Sequence, residues 1–423
     1  MTRKKPVQWT RLDNAAKIFP PNTNEQDTKV FRFVCELKDE VDKEILQKAL
    51  DKTIVLFPIY RSVLRKGVFW YYFERTEMMP EVVEEYKPPC GSLYHPNRKN
   101  LLFEVTYYRK RINLEMYHAL ADGTGALGFL KTLLYFYITM KYKEDFVEQL
   151  PNLDYDASFA QKMDDSFRKH YTDEKIPKRV KVNRAYRISG RRSIDNRLKV
   201  VEGVMSVKEI LALSRRYNTT LTVYLTALFM KAIYQEMPAR AKRYPVVLSV
   251  PVNLRAFFPS VTARNFFSTI NVSYHFGQKK DDLESIIAEV KEAFARELTE
   301  EKLRKHMNRL VALEHNAFTR IVPLFIKDWV LRFANYINDK GITATLSNVG
   351  KILIAEEFIP YVNLFNCFNS ARRPQIGMCS FGDKLVISFA SPFDGMDIQK
   401  NFYRMLTEEG VEITISSNSR EVG

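Results

Sequence analysis

Cysteine is scarce in this sequence, and the spacing of the few cysteines argues against a metal site or a disulfide framework. Four occur in 423 residues: Cys35, Cys90, Cys367 and Cys379. They form no Cys-x-x-Cys motif and no Cys/His pair at the spacing of zinc ligands. We expect buried free thiols in a reducing compartment, with no metal and no permanently bound cofactor.

Long apolar runs are also missing. The longest, such as residues 132–140, reach about half the length of a membrane-spanning helix. The first residues, Met1 to Trp9, carry the positive charge of a signal peptide, but no apolar stretch follows them. These features predict a soluble, cytoplasmic protein without a transmembrane segment.

Motifs of nucleic-acid recognition are absent although the chain is basic, with a net charge of +15. Part of this charge lies between residues 178 and 199, where Asp195 is the one acid. The basic residues there are Lys178, Arg179, Lys181, Arg184, Arg187, Arg191, Arg192, Arg197 and Lys199. Such a stretch attracts an anionic lipid, an acidic carrier protein or a phosphate-bearing cofactor. A solvated linker without a partner is an equally open interpretation.

The sequence is rich in apolar residues and has the composition of a globular protein. Strands are predicted at 30–37, 61–64, 68–73, 101–108, 112–118, 197–205, 245–252, 269–276, 343–348, 374–381 and 384–391. Helices are predicted at 42–56, 125–142 and 221–234, and from residues 206, 282 and 395 onward. This alternation predicts an α+β fold with mixed sheets in two subdomains, 1–150 and 197–423, joined by a crossover linker, 151–196.

One segment carries a pattern typical of acid–base chemistry, Tyr117-His118-Ala-Leu-Ala-Asp122-Gly123-Thr-Gly125. His118 ends a predicted buried strand, and Gly123 and Gly125 permit a tight turn into the next helix. A histidine at such a turn is well placed to exchange protons near neutral pH. Taken singly, His118 is also compatible with a hydrogen-bonded core histidine, and Asp122 with a simple helix cap.

The His-x-x-x-Asp-Gly pattern resembles the signature of the chloramphenicol acetyltransferase-like superfamily, which includes alcohol acyltransferases and condensation domains. Further segments resemble the same superfamily in order: residues 56–64, 249–255, 264–271 and 346–350. The closest resemblance is to bacterial alcohol acetyltransferase-like proteins. Condensation domains carry two adjacent histidines, and here Tyr117 takes the first place. The Asp-Phe-Gly-Trp-Gly motif of plant enzymes has no counterpart.

The resemblance implies two chloramphenicol acetyltransferase-like subdomains with an active-site tunnel at their interface. It implies acyl transfer from a thioester, with acyl-CoA as co-substrate, to a small alcohol or amine, and His118 as general base without a covalent intermediate. Asp122 is then expected to pair with Arg255 and, with Gly123, to support the turn. Candidate oxyanion or substrate contacts are Ser347, Asn348 and Asn253, each also compatible with a polar turn at a strand end.

Two other functions remain open at this point. A carrier-protein-dependent transferase or condensation-type enzyme would use the basic stretch to dock an acidic partner. A non-catalytic binding protein could also share the fold, because fold alone does not establish activity.

The segment from Ile321 to Phe333 is apolar with interspersed basic residues. Its pattern favours a helix packed in the core. Peripheral contact with a membrane, or the lining of a channel for a lipophilic acceptor, is the alternative.

Overall fold

The structure is a computed structural model, and it describes residues 9–147, 151, 165–172, 183–193, 197–315 and 321–418. The strands in the first part of the chain are β1 (Trp9–Arg11), β2 (Val30–Leu37), β3 (Ser62–Lys66), β4 (Tyr71–Arg75), β5 (Val82–Glu84), β6 (Phe103–Tyr108) and β7 (Arg111–Tyr117). They continue with β8 (Lys199–Ser206), β9 (Val246–Asn253), β10 (Phe267–Tyr274), β11 (Ala344–Lys351), β12 (Val362–Asn369), β13 (Gln375–Phe381), β14 (Lys384–Ser391) and β15 (Thr414–Ser417).

The α-helices are α1 (Phe19–Asn22), α2 (Lys43–Leu56), α3 (Gly123–Lys141), α4 (Ser166–Lys169), α5 (Val207–Arg216), α6 (Leu221–Gln235), α7 (Leu283–Glu297), α8 (Glu300–His315), α9 (Leu324–Asp339) and α10 (Asp397–Glu408). Several begin at the capping residues that the sequence predicts. The Ser206 hydroxyl accepts a hydrogen bond from Glu209 N at the start of α5, and the Asp282 carboxylate accepts one from Ser285 N at the start of α7.

Two mixed sheets form the frame of the molecule. The first has the strand order β12-β2-β7-β6-β5, and the second has the order β10-β9-β11-β13-β14-β8-β15. The sheets are mixed because β5 pairs parallel to β6, and β11 pairs parallel to both β9 and β13. A small third sheet has the order β1-β4-β3. The predicted α+β fold with mixed sheets in two subdomains is therefore confirmed.

Each large sheet has its own apolar core. Helices α2 and α3 pack together beside β2 and β7, where Phe33 and Leu114 are buried. Helices α5, α6, α7 and α10 pack around the second sheet, where Phe229 and Leu248 are buried. The four cysteines are buried and free. Within the described residues no helix has the length and apolarity needed to span a membrane.

One strand from the second half of the chain completes the sheet of the first half. Strand β12 pairs antiparallel with β2 over its length, although the sequence predicted no strand there and assigned residues 197–423 to the second subdomain. Strand β12 also lies close to β13. A Cβ on Gly377 of β13 would lie 2.3 Å from the carbonyl oxygen of Cys367 on β12, so the close approach requires glycine there. The division of the sheets thus does not follow the division of the sequence at this strand.

The crossover linker that the sequence places at 151–196 falls largely outside the described residues. In the basic stretch, Lys178, Arg179 and Lys181 are outside them as well. Of the stretch, the structure describes Arg184, Arg187, Arg191, Arg192, Arg197 and Lys199.

Helix α9 corrects one prediction. The segment from Ile321 to Phe333 was expected to pack in the core, but Leu324 and Asp328 are the buried residues of α9. Asp328 faces inward because its carboxylate accepts hydrogen bonds from Tyr71 Oη at 2.9 Å and Lys66 Nζ at 3.1 Å. These polar anchors turn the aromatic face of the helix outward.

Candidate active site

The site is built around the sharp turn from β7 into α3. His118 follows the last residue of β7, and its backbone N–H donates to Lys29 O at 2.8 Å. Asp122 caps α3 by accepting a hydrogen bond from Gly125 N at 3.0 Å. A Cβ on Gly125 would lie 2.1 Å from Ala263 O, so a glycine is required there by close backbone approach. Gly123 is less constrained, since its Cβ would first meet Phe33 at an ordinary 3.7 Å.

The Asp122 carboxylate ties the turn to the segment that precedes β10. Besides capping α3, it accepts hydrogen bonds from Phe266 N and from Arg255 Nη1, each at 2.7 Å. Arg255 is held in turn by backbone carbonyls, donating through Nη2 to Thr262 O at 2.9 Å and to Arg264 O at 2.8 Å. The ion pair is buried, with side-chain exposures of 10% for Arg255 and 6% for Asp122. The structure thus brings Asp122 and Arg255 together, and Asp122 is both a helix cap and an ion-pair partner.

The imidazole of His118 lies among aromatic rings. Phe19 stacks on it with ring centroids 4.6 Å apart, and Phe31 and Phe267 approach at 5.0 Å and 5.4 Å. This burial lowers the pKa of His118 below its ordinary value, and it outweighs the charge of Asp122, which acts in the opposite direction. The lowered pKa favours the neutral imidazole, which is the state that can accept a proton.

Asn265 determines which nitrogen of His118 carries the proton. Its Nδ2 donates to Asp13 Oδ2 at 3.3 Å and lies 3.5 Å from Ala119 O, so its amide hydrogens have acceptors on that side. Asn265 Oδ1 consequently faces His118 Nδ1, at 3.4 Å. An amide oxygen only accepts, so the arrangement favours a proton on Nδ1 and leaves the lone pair on Nε2.

Asp13 anchors this arrangement from the N-terminal segment. It is fully buried, accepts a hydrogen bond from Ala16 N at 2.7 Å and lies 3.6 Å from Arg264 Nε. Burial raises its pKa to about 6 against the opposing charge of Arg264. The sequence-based interpretation placed Asn265 in a superfamily-like segment without a site role, and it gave no signal at all for Asp13.

The three candidate oxyanion or substrate contacts differ in exposure and in their hydrogen-bond partners. Asn253 is exposed, and its Oδ1 accepts hydrogen bonds from Arg255 N at 3.1 Å and Arg255 Nη1 at 3.3 Å, so it orients the arginine. Ser347 and Asn348 lie on β11 and are half-buried. The Asn348 amide donates to Thr222 Oγ1 and accepts from Gly350 N, each at 2.8 Å.

A cavity of about 320 Å³ lies beside the segment that precedes Lys29. Its lining includes Thr28, Cys90, Ser370, Arg192 and Arg197. Thr28 directly precedes Lys29, whose carbonyl binds His118 N. The two arginines come from the basic stretch and could bind a phosphate-bearing group, although Glu25 also lines the cavity. In the part of the chain that the structure describes, no group of three His, Cys, Asp or Glu residues is placed to hold a metal ion.

Comparison with known proteins supports the resemblance drawn from the sequence. A family model described as alcohol acetyltransferase matches residues 204–358, which include Arg255, Asn265, Ser347 and Asn348 but not His118. The chain resembles F. graminearum TRI101 complexed with ethyl coenzyme A, with a TM-score of 0.63, 9% identity, and 96% and 99% of the two chains covered. It also resembles polyketide synthase associated protein 5 from Mycobacterium tuberculosis, with a TM-score of 0.61, 13% identity, and 94% and 96% covered.

The first condensation domain of the CDA synthetase is similar as well, with a TM-score of 0.57, 14% identity and 96% of each chain covered. The chain has the chloramphenicol acetyltransferase-like fold of these structures. The resemblance drawn from the sequence is confirmed by this fold together with the alcohol acetyltransferase segment. No curated protein matches this chain closely enough to count as a relative.

Proposed function

We propose that this protein is an acyltransferase that moves an acyl group from a thioester to an acceptor hydroxyl or amine, with His118 as the general base. One observation carries the proposal. His118 is a half-buried imidazole with a lowered pKa, and its Nδ1 faces the Asn265 oxygen, which leaves Nε2 to accept a proton.

In this mechanism Nε2 of His118 takes the proton of the acceptor while the acceptor oxygen or nitrogen attacks the thioester carbonyl. The tetrahedral intermediate then collapses with cleavage of the carbon–sulfur bond. The imidazolium returns its proton to the departing thiolate, so free thiol is released and no covalent acyl-enzyme forms. Asp122 and Arg255 act as positioning residues that hold the turn and the Asn265 segment together.

The oxyanion of the intermediate requires hydrogen-bond donors. Ser347 is the better candidate on β11, because Asn348 already uses its amide oxygen and one amide hydrogen within the protein. Asn253 is better explained as a support for Arg255.

We propose acyl-CoA as the donor, with its phosphates near Arg192 and Arg197 and its thioester directed toward His118. The two guanidinium groups on the cavity wall support this orientation, because guanidinium groups bind phosphate. A carrier-protein donor is the alternative, since the same basic stretch would attract an acidic carrier domain. The buried, unpaired cysteines support a cytoplasmic location for either reaction.

The test is thiol release from acetyl-CoA and longer acyl-CoAs, with and without a panel of alcohols and amines. We expect acceptor-dependent release from the wild type and a loss of at least ~10²-fold in His118→Ala, the low end for general-base catalysis. The matched control is His170→Ala, which should keep the wild-type rate. His170 directly follows α4, and its ring packs on Phe258 and Phe266.

An unchanged rate in folded His118→Ala contradicts the mechanism. A salt-sensitive preference for acylated carrier protein over acyl-CoA would favour the carrier-dependent enzyme. Calorimetric binding of CoA without turnover on any acceptor would instead indicate a non-catalytic binding protein.

A further inference from the structure

The outward face of α9 is an exposed stripe of aromatic and aliphatic side chains. More than half of each of these side chains is exposed: Phe325, Trp329, Val330, Phe333 and Tyr336. Residues at four-residue spacing are neighbours on a helix, and the rings of Trp329 and Phe333 stack with centroids 5.8 Å apart. Contiguous apolar surface of this kind is rare on monomeric soluble proteins and marks an interaction site.

The stripe continues onto the turn between β3 and β4. Leu324 N donates to Val68 O at 2.8 Å, and Lys327 Nζ donates to Phe69 O at 2.9 Å, so the turn is fixed to the start of the helix. Val68, Phe69 and Trp70 of this turn are themselves exposed. We call the outward side chains of α9 and residues 68–70 the α9 surface.

All three tryptophans of the sequence are exposed on or beside these elements. Trp329 lies on α9 and is 67% exposed, Trp70 lies in the turn, and Trp9 lies on β1, which pairs with β4. Tryptophan concentrates where an apolar phase meets water, because its ring is apolar and its N–H is a donor.

The charges around the α9 surface are basic. Arg11 Cζ lies 5.5 Å from the Trp70 ring, and Lys340 Nζ lies 4.2 Å from the Tyr336 ring. Burial lowers the pKa of Lys327, and the positive charge of nearby Lys17 acts in the same direction. The two acids of α9 are neutralised on the protein side. Asp328 is buried against Lys66 and Tyr71, and Asp339 pairs with Arg373.

We propose that the α9 surface binds peripherally to the interface of an anionic lipid bilayer. Aromatic side chains bordered by lysine and arginine are the composition that interfacial helices use for such a surface. A second copy of the chain fits less well, because the same basic residues would face each other across the interface. Sixteen residues span about 24 Å, shorter than the ~30 Å core of a bilayer, so α9 lies in the plane of the interface.

The surface is one short helix away from the candidate active site. Arg332 Nε on α9 donates to Pro21 O on α1 at 2.8 Å, and Phe19 on α1 stacks on His118. Bound in this way, the protein would take a lipophilic acceptor from the bilayer to His118 along α1. This last step rests on the proposed acyl transfer, whereas binding to the bilayer does not.

The test uses the whole chain with sedimented vesicles of phosphatidylcholine alone or of equal parts of phosphatidylcholine and phosphatidylglycerol. In a Trp9→Phe/Trp70→Phe variant, Trp329 is the sole tryptophan and reports the contact by its fluorescence. With anionic vesicles we expect a blue shift of the fluorescence and cosedimentation. Affinity for neutral vesicles should be lower, by about fivefold for each basic residue that has no anionic lipid to contact.

The variant Phe325→Glu/Phe333→Glu should bind anionic vesicles at least ~10-fold more weakly, because it places charge in the apolar layer. Val55→Glu is the matched control, since Val55 is 70% exposed on α2 away from α9, and it should bind like the wild type. Thiol release in the absence of lipid is measured in parallel, so failure of binding and failure of acyl transfer are distinguished.

Three outcomes overturn the proposal. They are no binding to either vesicle, equal binding by the glutamate variant while it remains folded, and a concentration-dependent dimer that this variant abolishes.

Discussion

At the scale of single residues, the chemistry of His118 depends on atoms outside its own motif. The tautomer is set by Asn265, whose amide is oriented by Asp13 and by Ala119 O. Asp122 acts differently, since its carboxylate accepts hydrogen bonds from Gly125 N, Phe266 N and the Arg255 guanidinium rather than from the imidazole. The base and its orienting group therefore come from different halves of the chain.

Replacement of Asn265 by alanine tests this dependence. We expect Asn265→Ala to lower kcat about 10-fold with little change in KM, because the imidazole loses the acceptor that holds its proton on Nδ1. The hydrogen bond to Asn265 also raises the pKa of His118, so its loss lowers that pKa further. The measurement is a pH profile of kcat/KM beside that of the wild type.

The sign of the expected pH effect follows from the need for a neutral base. Activity falls as the pH drops through the pKa of His118, so the wild-type acid limb should lie below the ordinary 6.5 of histidine. In Asn265→Ala the limb should move to still lower pH. Asn271→Ala, at an exposed position of β10, is the control, and a rate loss without movement of the limb would indicate a merely structural role for Asn265.

Much of the candidate site could be expected from the sequence, but not this network. His118, Asp122 and Gly123 form a local pattern, and Arg255 follows from the superfamily resemblance. Asn265 lies 147 residues from His118, and Asp13 lies 252 residues from Asn265. No local periodicity relates such positions, because only the packing of the two halves brings them together.

At the scale of elements, the turn from β7 into α3 depends on one of its two glycines. Neither has a positive φ, so backbone freedom is not what selects them. Gly125 is selected by space, because α3 begins in contact with the backbone at Ala263, where Tyr60 Oη also binds the carbonyl at 3.0 Å. That contact connects α3 to the segment carrying Arg264 and Asn265.

The two glycines therefore give a matched pair of substitutions. Gly125→Ala should destabilise the protein by about 1–3 kcal/mol and abolish most activity, because its Cβ would displace the Ala263 backbone. Gly123→Ala should change stability by no more than about 0.5 kcal/mol. Denaturant unfolding and thiol release measure both effects, and a Gly125→Ala variant with wild-type stability and rate would refute this account of the turn.

The elements that the sequence misplaced share one physical cause. Periodicity identified α9 as a helix with an apolar face, but it does not state whether protein or another apolar phase covers that face. The inward anchor, Asp328 with Tyr71 and Lys66, comes from the distant β3–β4 hairpin. Strand β12 was missed entirely, and its pairing with β2 is again a contact between distant parts of the chain.

At the scale of the whole molecule, a buried polar cluster joins the two sheets. Arg111 at the start of β7 donates through both terminal nitrogens to Glu202 on β8, at 2.9 Å and 3.1 Å. Asn366 on β12 donates to the same carboxylate at 2.5 Å and accepts from Ser388 on β14 at 2.6 Å. The candidate site lies between halves that this cluster and β12 hold in register.

Substitution of Glu202 by glutamine should weaken this joint without breaking either core. The change keeps the shape but removes the charge opposite Arg111, which retains Glu36 at 2.7 Å. We expect a loss of about 1–3 kcal/mol in the free energy of unfolding, because the carboxylate is buried. Glu409→Gln, which alters an exposed pair with Arg216 on the surface, should cost less than about 0.5 kcal/mol.

Denaturant unfolding followed by tryptophan fluorescence and by far-ultraviolet circular dichroism makes the measurement. Because β12 belongs to both halves, the two signals should coincide in a single transition that shifts to lower denaturant in Glu202→Gln. The tryptophans report on β1, the β3–β4 turn and α9, whereas circular dichroism reports on both halves. Separate transitions in the wild type would mean that the halves unfold independently and that β12 does not couple them.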